Sequence, residues 1–498
     1  MKVVRMPVNV LFAITGVALL AAGLSACAPG TGLVRTDPAL RPVFQFGVTD
    51  YVNRCDPDDP TEVTIRAPEG TTVSVAGQPA RGGTYTASVD QEVNERFTLV
   101  VTRGGATTTH HVRCLPADFP VWSVSREGRP QAPYYATVIG GGALVPHVPV
   151  IFDTNGVPVW WADPEPTLLL NPFPNGNLVT SFYNGAMLER RLDGTPVRLL
   201  NTQGATSDFH DVRLLPNGNY VMVTAESRPC DLSAWGEGPN TCLHHDVQEL
   251  TPAGQVVWNW RPEEHIPITE TSPKWRADTD PLLGLRDPWH WNSVEWTGDG
   301  FILSFRHVDA VYKVDYATRR IVWKLGGSAR PESLRVIGDP VFDAGGSLSG
   351  QHDARLSGTT LSLFDNGSIV GRAPRSVSYR LDEAAGTATF LNAVTDPIAP
   401  TSPCCGSTRL LPGGNVVTGW GGSSYISENE PDGTRVFLLN AGFVYRGVPV
   451  PDGLYTPDEL RAGMDAQFDG PVRAPGVAAP PASDGADHLG DLGFRLGL

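Results

Sequence analysis

Three histidines, His210, His290 and His352, lie at matching positions of a repeated sequence unit. Aligning the units on their hairpin turns places each of them at the start of the same strand, and Cys405 takes that place in a later unit. Since the chain has only 11 histidines, this alignment predicts one shared site. Imidazole can act there as a nucleophile, a general acid or a metal ligand near neutral pH. For each histidine taken alone, the alternative is a hydrogen bond that stabilises a turn.

Arg306 decides between these chemistries. It lies in the same unit as His290, near the end of the following strand. Three neutral imidazoles alone could bind zinc. A guanidinium beside them repels a cation, and its planar fork matches two oxygens of a sulfate, phosphate or carboxylate. The sequence therefore predicts a site for an anionic ester, with no metal and no cofactor.

Other histidines are expected outside this site. His307 follows Arg306 directly, so it should point to the opposite side of its strand, with a supporting role at best. We expect the remaining pairs to be solvated loop or strand residues; they are His110, His111, His244 and His245.

The unit that carries the site recurs between about residue 120 and about residue 450. One element of it is a tight turn followed by a Val-Trp-like strand, and the other is a strand, a hairpin turn and a second strand. At roughly 55 residues per unit, the repeat is somewhat longer than a typical propeller blade. A unit of short strands must stack on its neighbours to bury both of its faces. We therefore predict an all-β chain in which residues 119–454 form a six-bladed β-propeller, closed by strands from both ends. The six copies of the first element start at Asp153, Asp193, Pro252, Asp315, Asp382 and Asp432.

The first residues indicate export. A short positive region precedes an apolar stretch, and Leu24-Ser25-Ala26-Cys27 resembles the lipobox of bacterial lipoproteins. We predict a lipoprotein signal peptide over residues 1–26, lipidation of Cys27 and a tether over residues 27–42. An ordinary secretory signal is the alternative. The protein is then expected outside the cytoplasm, held on the outer face of the cell membrane only through its lipid.

Two further segments flank the propeller. Residues 43–118 alternate apolar and polar residues between turn signals, which predicts a small β-sandwich domain that serves as a spacer or a binding module. Residues 455–498 begin with a short helical pattern and continue with a stretch rich in Ala, Pro and Gly, so we expect a partly disordered extension. The net charge of −15 excludes nucleic acid as a partner.

Once Cys27 is lipidated, an even number of cysteines remains, which in an exported chain favours disulfides. Proximity pairs the first with the second and the third with the fourth, leaving an adjacent pair that is either a vicinal disulfide or two free thiols. The six are Cys55, Cys114, Cys230, Cys242, Cys404 and Cys405.

The segment from His210 to about Gly422 resembles the bacterial arylsulfate sulfotransferases, six-bladed propeller enzymes that work outside the cytoplasm. The best-known members carry a short disulfide in the loop before the nucleophilic histidine, and this chain has no cysteine there. The resemblance rests on residues 208–212 (DFHDV), 287–294 (DPWHWNSV), 305–306 (FR), 312–315 (YKVD), 321–327 (IVWKLGG) and 350–354 (GQHDA).

The resemblance implies transfer of a sulfuryl group from a phenolic sulfate ester to a phenol, without a nucleotide donor. It implies that His352 is the nucleophile that becomes transiently sulfated. It also implies that His210, His290, Asn292 and Arg306 hold the sulfuryl oxygens and manage protons. Two other functions stay open: a non-catalytic surface propeller that binds a ligand, and a metal-dependent propeller hydrolase. The oligomeric state is left open.

Overall fold

The structure is a computed structural model that describes residues 32–142, 145–280 and 283–469. The predicted signal peptide and the lipidation site Cys27 lie outside the described residues. Strands make up most of the regular structure, which confirms the all-β class. The α-helices of the described part are Pro340–Asp343 and Pro457–Asp469. In that part, no helix is long and apolar enough to cross a membrane.

Residues 34–114 form two sheets that enclose one hydrophobic core. Alternate residues of the strands point into this core; in Thr61–Ala67, for example, Val63 and Ile65 are fully buried. The expected tether is partly wrong, because Val34–Asp37 pairs with Thr61–Ala67 as a strand of the first sheet. The first sheet contains Val34–Asp37, Thr61–Ala67 and Gly83–Val89, and the second contains Asp50–Asn53, Thr71–Val75, Arg96–Arg103 and Ala106–Cys114.

Both predicted disulfides are confirmed. Cys55–Cys114 joins the chain after the strand Asp50–Asn53 to the end of Ala106–Cys114, with a Cα–Cα distance of 5.5 Å. Cys230–Cys242 closes a long hairpin that projects from the third of the sheets described next.

Within the described part of residues 119–454, the strands form six further sheets, numbered here in chain order. Most neighbouring strands are consecutive and antiparallel. Sheet 1 contains Tyr134–Ile139, Val148–Asp153, Pro158–Trp161 and Val448–Pro449, and sheet 2 contains Thr167–Pro172, Leu178–Phe182, Met187–Arg190 and Pro196–Leu200. Sheet 3 contains Thr206–Ser207, Arg213–Leu214, Tyr220–Asp231, Pro239–His244, Val247–Leu250 and Val256–Trp260, and sheet 4 contains Trp291–Trp296, Gly300–Phe305, Ala310–Asp315 and Ile321–Gly326. Sheet 5 contains Arg335–Ile337, His352–Ser357, Thr360–Asp365, Arg375–Asp382 and Thr387–Val394, and sheet 6 contains Ser407–Leu410, Val416–Gly419, Tyr425–Asn429, Arg435–Asn440 and Ser123–Arg126.

Sheet 4 shows how the six sheets bury their surfaces. Its second strand, Gly300–Phe305, is buried throughout, and successive apolar side chains enter two different cores. Phe301 and Leu303 pack with residues of sheet 3, whereas Ile302 packs with residues of sheet 5. In register, Leu303 lies opposite Val294 on one side and Tyr312 on the other. Sheet 4 is thus covered on both faces by its neighbours.

Strands from both ends of the region complete its first and last sheets. Ser123–Arg126 pairs with Arg435–Asn440 in sheet 6, and Val448–Pro449 pairs with Tyr134–Ile139 in sheet 1. The buried carboxylate of Glu428 strengthens this junction. It accepts hydrogen bonds from the backbone N–H groups of residues 131 and 132 and from the Tyr135 hydroxyl.

The helix Pro457–Asp469 packs against the strand Pro158–Trp161, so the described part of the C-terminal extension is ordered. The Asp465 carboxylate binds the guanidinium groups of Arg96 and Arg113, each at 2.6 Å, in the N-terminal sheets. The Gln467 side chain donates to the carbonyl of Trp161. Residues 470–498, which include the segment predicted to be disordered, lie outside the described residues.

Replacing Glu428 by Ala should destabilise the fold, because it leaves several buried donors without their acceptor. We expect the free energy of unfolding to fall by about 3 kcal/mol or more. Glu430, an exposed residue in the turn that follows the same strand, supplies the matched control Glu430→Ala, which should change stability by less than about 0.5 kcal/mol. Urea unfolding of the two variants measures the difference, and equal stabilities would contradict the role of Glu428.

Candidate active site

The three predicted histidines come from sheets 3, 4 and 5 and gather at one place. His210 precedes the short strand Arg213–Leu214, His290 precedes Trp291–Trp296, and His352 begins His352–Ser357. The rings of His210 and His290 meet edge to face, with centroids 5.2 Å apart. His290 has a φ of 47°, a left-handed conformation that is uncommon outside glycine. Such strained backbone is often found at functional sites.

Two of the histidines are each paired with a carboxylate. Asp208 accepts a hydrogen bond of 2.6 Å from Nδ1 of His210, and Asp287 accepts one of 2.6 Å from Nδ1 of His290. These bonds orient both rings and leave each Nε2 available for the site. The sequence contains a local signal for this arrangement: Asp208 lies two residues before His210, and Asp287 lies three residues before His290.

His245 joins the two carboxylates, and the expectation that it is solvated is wrong. Its Nε2 lies 3.0 Å from Asp287 and its Nδ1 lies 3.5 Å from Asp208. Burial lowers the pKa of His245, but the two carboxylates outweigh that effect and raise the pKa to about 10. His245 is therefore a buried cation between the partners of His210 and His290. His244 is buried as well, and so is His110 in the N-terminal sheets, because both lie on strands packed against apolar cores.

His352 is held in one orientation. Its Nδ1 donates to the Gly350 carbonyl at 2.8 Å and to Oδ1 of Asn366 at 2.9 Å. The proton therefore sits on Nδ1, and Nε2 carries the lone pair, which accepts a 3.2 Å hydrogen bond from the backbone N–H of Cys405. Burial and the positive charge of Arg306 lower the pKa of His352 well below its usual value. His352 is thus a neutral imidazole with a defined nucleophilic nitrogen.

Arg306 lies beside these rings and contacts the segment that follows sheet 5. Its guanidinium stacks over the Trp275 ring at 4.1 Å from the ring centre, and Nη2 donates to the Pro403 carbonyl at 3.0 Å. Nη1 donates to Nε2 of His307 at 2.7 Å. Its Nε has no hydrogen-bond partner among the described residues. The guanidinium therefore retains a donor for an anionic group.

The prediction for His307 is wrong. The strand ends at Phe305, and residues 306–308 form a turn of 3-10 helix, so the alternation of side chains no longer applies. The imidazole of His307 stacks on that of His290, with centroids 4.6 Å apart. Its Nδ1 donates to the backbone carbonyl of Asp287 at 2.5 Å.

Asp287, His290 and His307 lie close enough together to resemble a set of metal ligands. The carboxylate of Asp287 already accepts from two imidazoles, and the guanidinium of Arg306 donates to the remaining nitrogen of His307. These groups therefore satisfy one another, and the guanidinium of Arg306, which also lies 3.7 Å from the Asp278 carboxylate, occupies the place beside them, which does not fit a cation.

Asn292 is fully buried below the histidines. Its Nδ2 donates to the Gln351 carbonyl at 2.8 Å, and its Oδ1 lies 3.4 Å from the backbone N–H of Asp353. Both ends of the amide thus contact the chain on either side of His352. This placement makes Asn292 a positioning residue for His352.

A network of buried ion pairs lies on the side of these strands opposite the histidines. Asp211 follows His210 and binds Arg355 at 2.7 Å and Arg446 at 3.0 Å. Asp353 follows His352 and binds Arg355 at 2.8 Å. The network joins the segments that carry His210 and His352 to the segment after sheet 6.

Aromatic side chains form the apolar wall beside His210. Phe209 stacks on His210, with centroids 4.3 Å apart, and packs with Tyr183 and Tyr445 in one cluster. The buried hydroxyl of Tyr445 has no hydrogen-bond partner among the described residues. Trp289 and Trp291, on either side of His290 in the sequence, are buried in the core between sheets 3 and 4.

Replacing His245 by Gln should lower stability in a way that depends on pH. The folded-state pKa of about 10 lies above the usual value of about 6.5, so the charged ring stabilises the fold fully below pH 6.5. That contribution disappears as the pH rises towards 10. We expect a difference on the order of a few kcal/mol near pH 6, measured by urea unfolding, that shrinks towards pH 10. Thr224→Ala removes a buried hydroxyl of the same sheet that does not titrate in this range, and its effect should stay constant with pH. A constant effect of His245→Gln would contradict the charged state of His245.

Comparison with known proteins identifies the family. The family model for arylsulfotransferases (ASST) matches residues 86–437, whereas no curated protein matches the chain. A protein of unknown function from Bacteroides caccae is 13% identical over 64% of this chain and 100% of its own, with a TM-score of 0.38. A catalytically inactive virginiamycin B lyase from Staphylococcus aureus, with quinupristin, is 9% identical over 63% and 87% of the two chains, with a TM-score of 0.34. These structural likenesses are too weak to bear on fold or activity. The family model covers well over half of the residues, and the chain belongs to the arylsulfotransferase family.

Proposed function

We propose that this protein is an aryl-sulfate sulfotransferase that works through a sulfo-histidine intermediate on His352. The observation that carries the proposal is the state of His352: a neutral imidazole whose Nδ1 is fixed by Gly350 and Asn366. The positive charge of Arg306 acts on this ring and helps to keep its nucleophilic Nε2 unprotonated. A sulfate ester offers an electrophilic sulfur and anionic oxygens, which this pair of groups matches.

In the first half-reaction, Nε2 of His352 attacks the sulfur, and the bond from sulfur to the phenolic oxygen breaks. The leaving phenolate takes a proton from the imidazolium of His210, which Asp208 orients. The sulfuryl group is then bonded to Nε2, and both electrons of the broken bond have left with the phenol. In the second half-reaction, His210 removes the proton of an acceptor phenol, whose oxygen attacks the sulfur and releases His352.

The sulfuryl oxygens are held by Arg306 in this proposal, and His290, whose Nδ1 donates to Asp287, borders them. Arg306 offers a guanidinium N–H without a partner among the described residues, and His290 is oriented by Asp287. Such preorganised donors stabilise charge that develops in the transition state. Because donor and acceptor are both phenols with a pKa of about 10, the transfer needs no activated nucleotide. The aromatic wall of Phe209, Tyr183 and Tyr445 offers a surface for the aryl group.

For the fold, we propose that sheets 1 to 6 are the blades of a six-bladed propeller and that the N-terminal sheets are a β-sandwich. The pairing of strands from both ends in sheets 1 and 6 supports closure of the ring. We also propose export with a lipid on Cys27. The disulfides Cys55–Cys114 and Cys230–Cys242 support an oxidising compartment.

His352→Ala should abolish transfer. With 4-nitrophenyl sulfate as donor and a phenol as acceptor, we expect nitrophenol release to fall by about 10³-fold or more. After brief exposure to donor alone, mass spectrometry of the wild type should find one added sulfuryl group on the peptide that contains His352. His111→Ala, in the N-terminal sheets, is the matched control and should keep both properties. Full turnover by the His352 variant would exclude this mechanism, and binding of the donor without turnover by the wild type would favour the non-catalytic alternative.

Arg306→Gln should weaken the binding of the anionic ester, because it removes the positive charge that acts on His352. We expect KM for the donor to rise on the order of tenfold or more, and inhibition by inorganic sulfate to weaken in parallel. Arg306→Lys keeps the charge and should be affected less. Activity that instead required zinc and was lost to a chelator would favour the metal-dependent hydrolase.

A further inference from the structure

Cys404 and Cys405 are the described cysteines that are not in a disulfide. They lie in the segment between sheets 5 and 6, and their sulfur atoms are 2.6 Å apart. That separation is close to the bond length of about 2.05 Å in a disulfide. Cys404 is half-buried and Cys405 is buried. Neither thiol has a part in the transfer mechanism described above.

The same segment contacts the proposed nucleophile and its neighbour. The backbone N–H of Cys405 donates to Nε2 of His352, and the preceding Pro403 carbonyl accepts from Arg306. The Cys405 carbonyl accepts from Nδ2 of Asn366, whose Oδ1 accepts from Nδ1 of His352. Both nitrogens of the His352 ring are therefore linked to the residues around Cys405.

We propose that Cys404 and Cys405 are a reversible modification site, a dithiol that oxidises to a vicinal disulfide and thereby sets the availability of Nε2 of His352. This inference rests on the nucleophilic role proposed for His352. The oxidant is a disulfide, either a small molecule or a thiol–disulfide oxidoreductase. One S–S bond forms between the two cysteines, and the disulfide of the oxidant breaks. Two electrons and two protons pass to it, so that two thiols are released.

The peptide bond between the two cysteines couples the sulfur chemistry to the histidine. A vicinal disulfide closes a ring that contains this peptide, and its N–H is the group bound to Nε2 of His352. Adjacent Cα atoms are about 3.8 Å apart, whereas disulfides usually join Cα atoms about 4.4–6.8 Å apart. Because the Cα separation lies below this range, the eight-membered ring closes only with torsional strain in the peptide, which turns its N–H. In the dithiol, the N–H occupies the lone pair of Nε2. We expect the disulfide to withdraw the N–H and free the nucleophile.

The surroundings of the two thiols suit reversible exchange. The hydrogen bond from Cys405 lowers the pKa of the Cys404 thiol, and Arg306 contributes in the same direction. Cys404 is also the more exposed of the two, so it can attack the oxidant first, after which Cys405 resolves the mixed disulfide. A disulfide strained by this geometry is readily reduced again.

The test compares wild type with Cys404→Ser, each after treatment with oxidised glutathione or with dithiothreitol. Mass spectrometry counts the thiols in the peptide that contains residues 404 and 405. Diethyl pyrocarbonate, which acylates imidazole nitrogen, reports the reactivity of His352 without any need for sulfuryl transfer. We expect oxidised wild type to lose both thiols and to acylate His352 on the order of fivefold faster than reduced wild type.

Cys404→Ser cannot close the ring, so its rate of acylation at His352 should be the same after both treatments. This control also accounts for reduction of Cys230–Cys242, which the variant retains. No disulfide between Cys404 and Cys405, or a disulfide that leaves the rate at His352 unchanged or lowers it, would overturn the proposal. Because acylation does not depend on sulfuryl transfer, a redox-sensitive His352 in a protein without transferase activity would refute the proposed function alone.

Discussion

The buried ion pairs among Asp211, Asp353, Arg355 and Arg446 are the constraint on which the rest of the site depends. Charges removed from water are tolerated only when they are paired, and removing one partner leaves an uncompensated charge. Here the pairs join strands that are far apart in sequence. Because Asp211 and Asp353 each follow a histidine of the site, any slip of either strand would unpair a buried charge. The ion pairs therefore fix the positions of the segments that present His210 and His352.

The surroundings of His245 and His352 give these two rings different protonation states. His245 lies between two aspartates and is kept charged, whereas His352 has only neutral acceptors and a nearby guanidinium and is kept neutral. Asp208 and Asp287 are shared between His245 and the catalytic candidates His210 and His290. Environments that push the pKa values of like groups apart allow one site to hold a charged and a neutral imidazole close together.

Much of this arrangement could be predicted from the sequence. Alternation and hairpin turns are local signals, and they placed His210, His290, His352 and Arg306 at equivalent or adjacent points of the repeat. The predictions that were wrong concern residues whose surroundings come from other parts of the chain. The buried state of His245 requires Asp208 and Asp287, which lie on opposite sides of it in the chain. The direction of His307 depends on a turn of 3-10 helix that no alternation rule describes. Residues 27–42 were predicted to be a tether because of their composition. The strand Val34–Asp37 forms there because it pairs with Thr61–Ala67, which is distant in the sequence.

The strands exchanged between the two ends of the repeat region bear on how the chain folds during synthesis. Sheet 6 receives its outer strand from residues 123–126, and sheet 1 receives residues 448–449. A ribosome delivers the N-terminal strands long before their partners exist. Until residue 449 has emerged, at least two strand edges stay unpaired, and unpaired edges are templates for aggregation. The edges are therefore exposed throughout synthesis and export, and the need for a chaperone ends only when the last strand has paired.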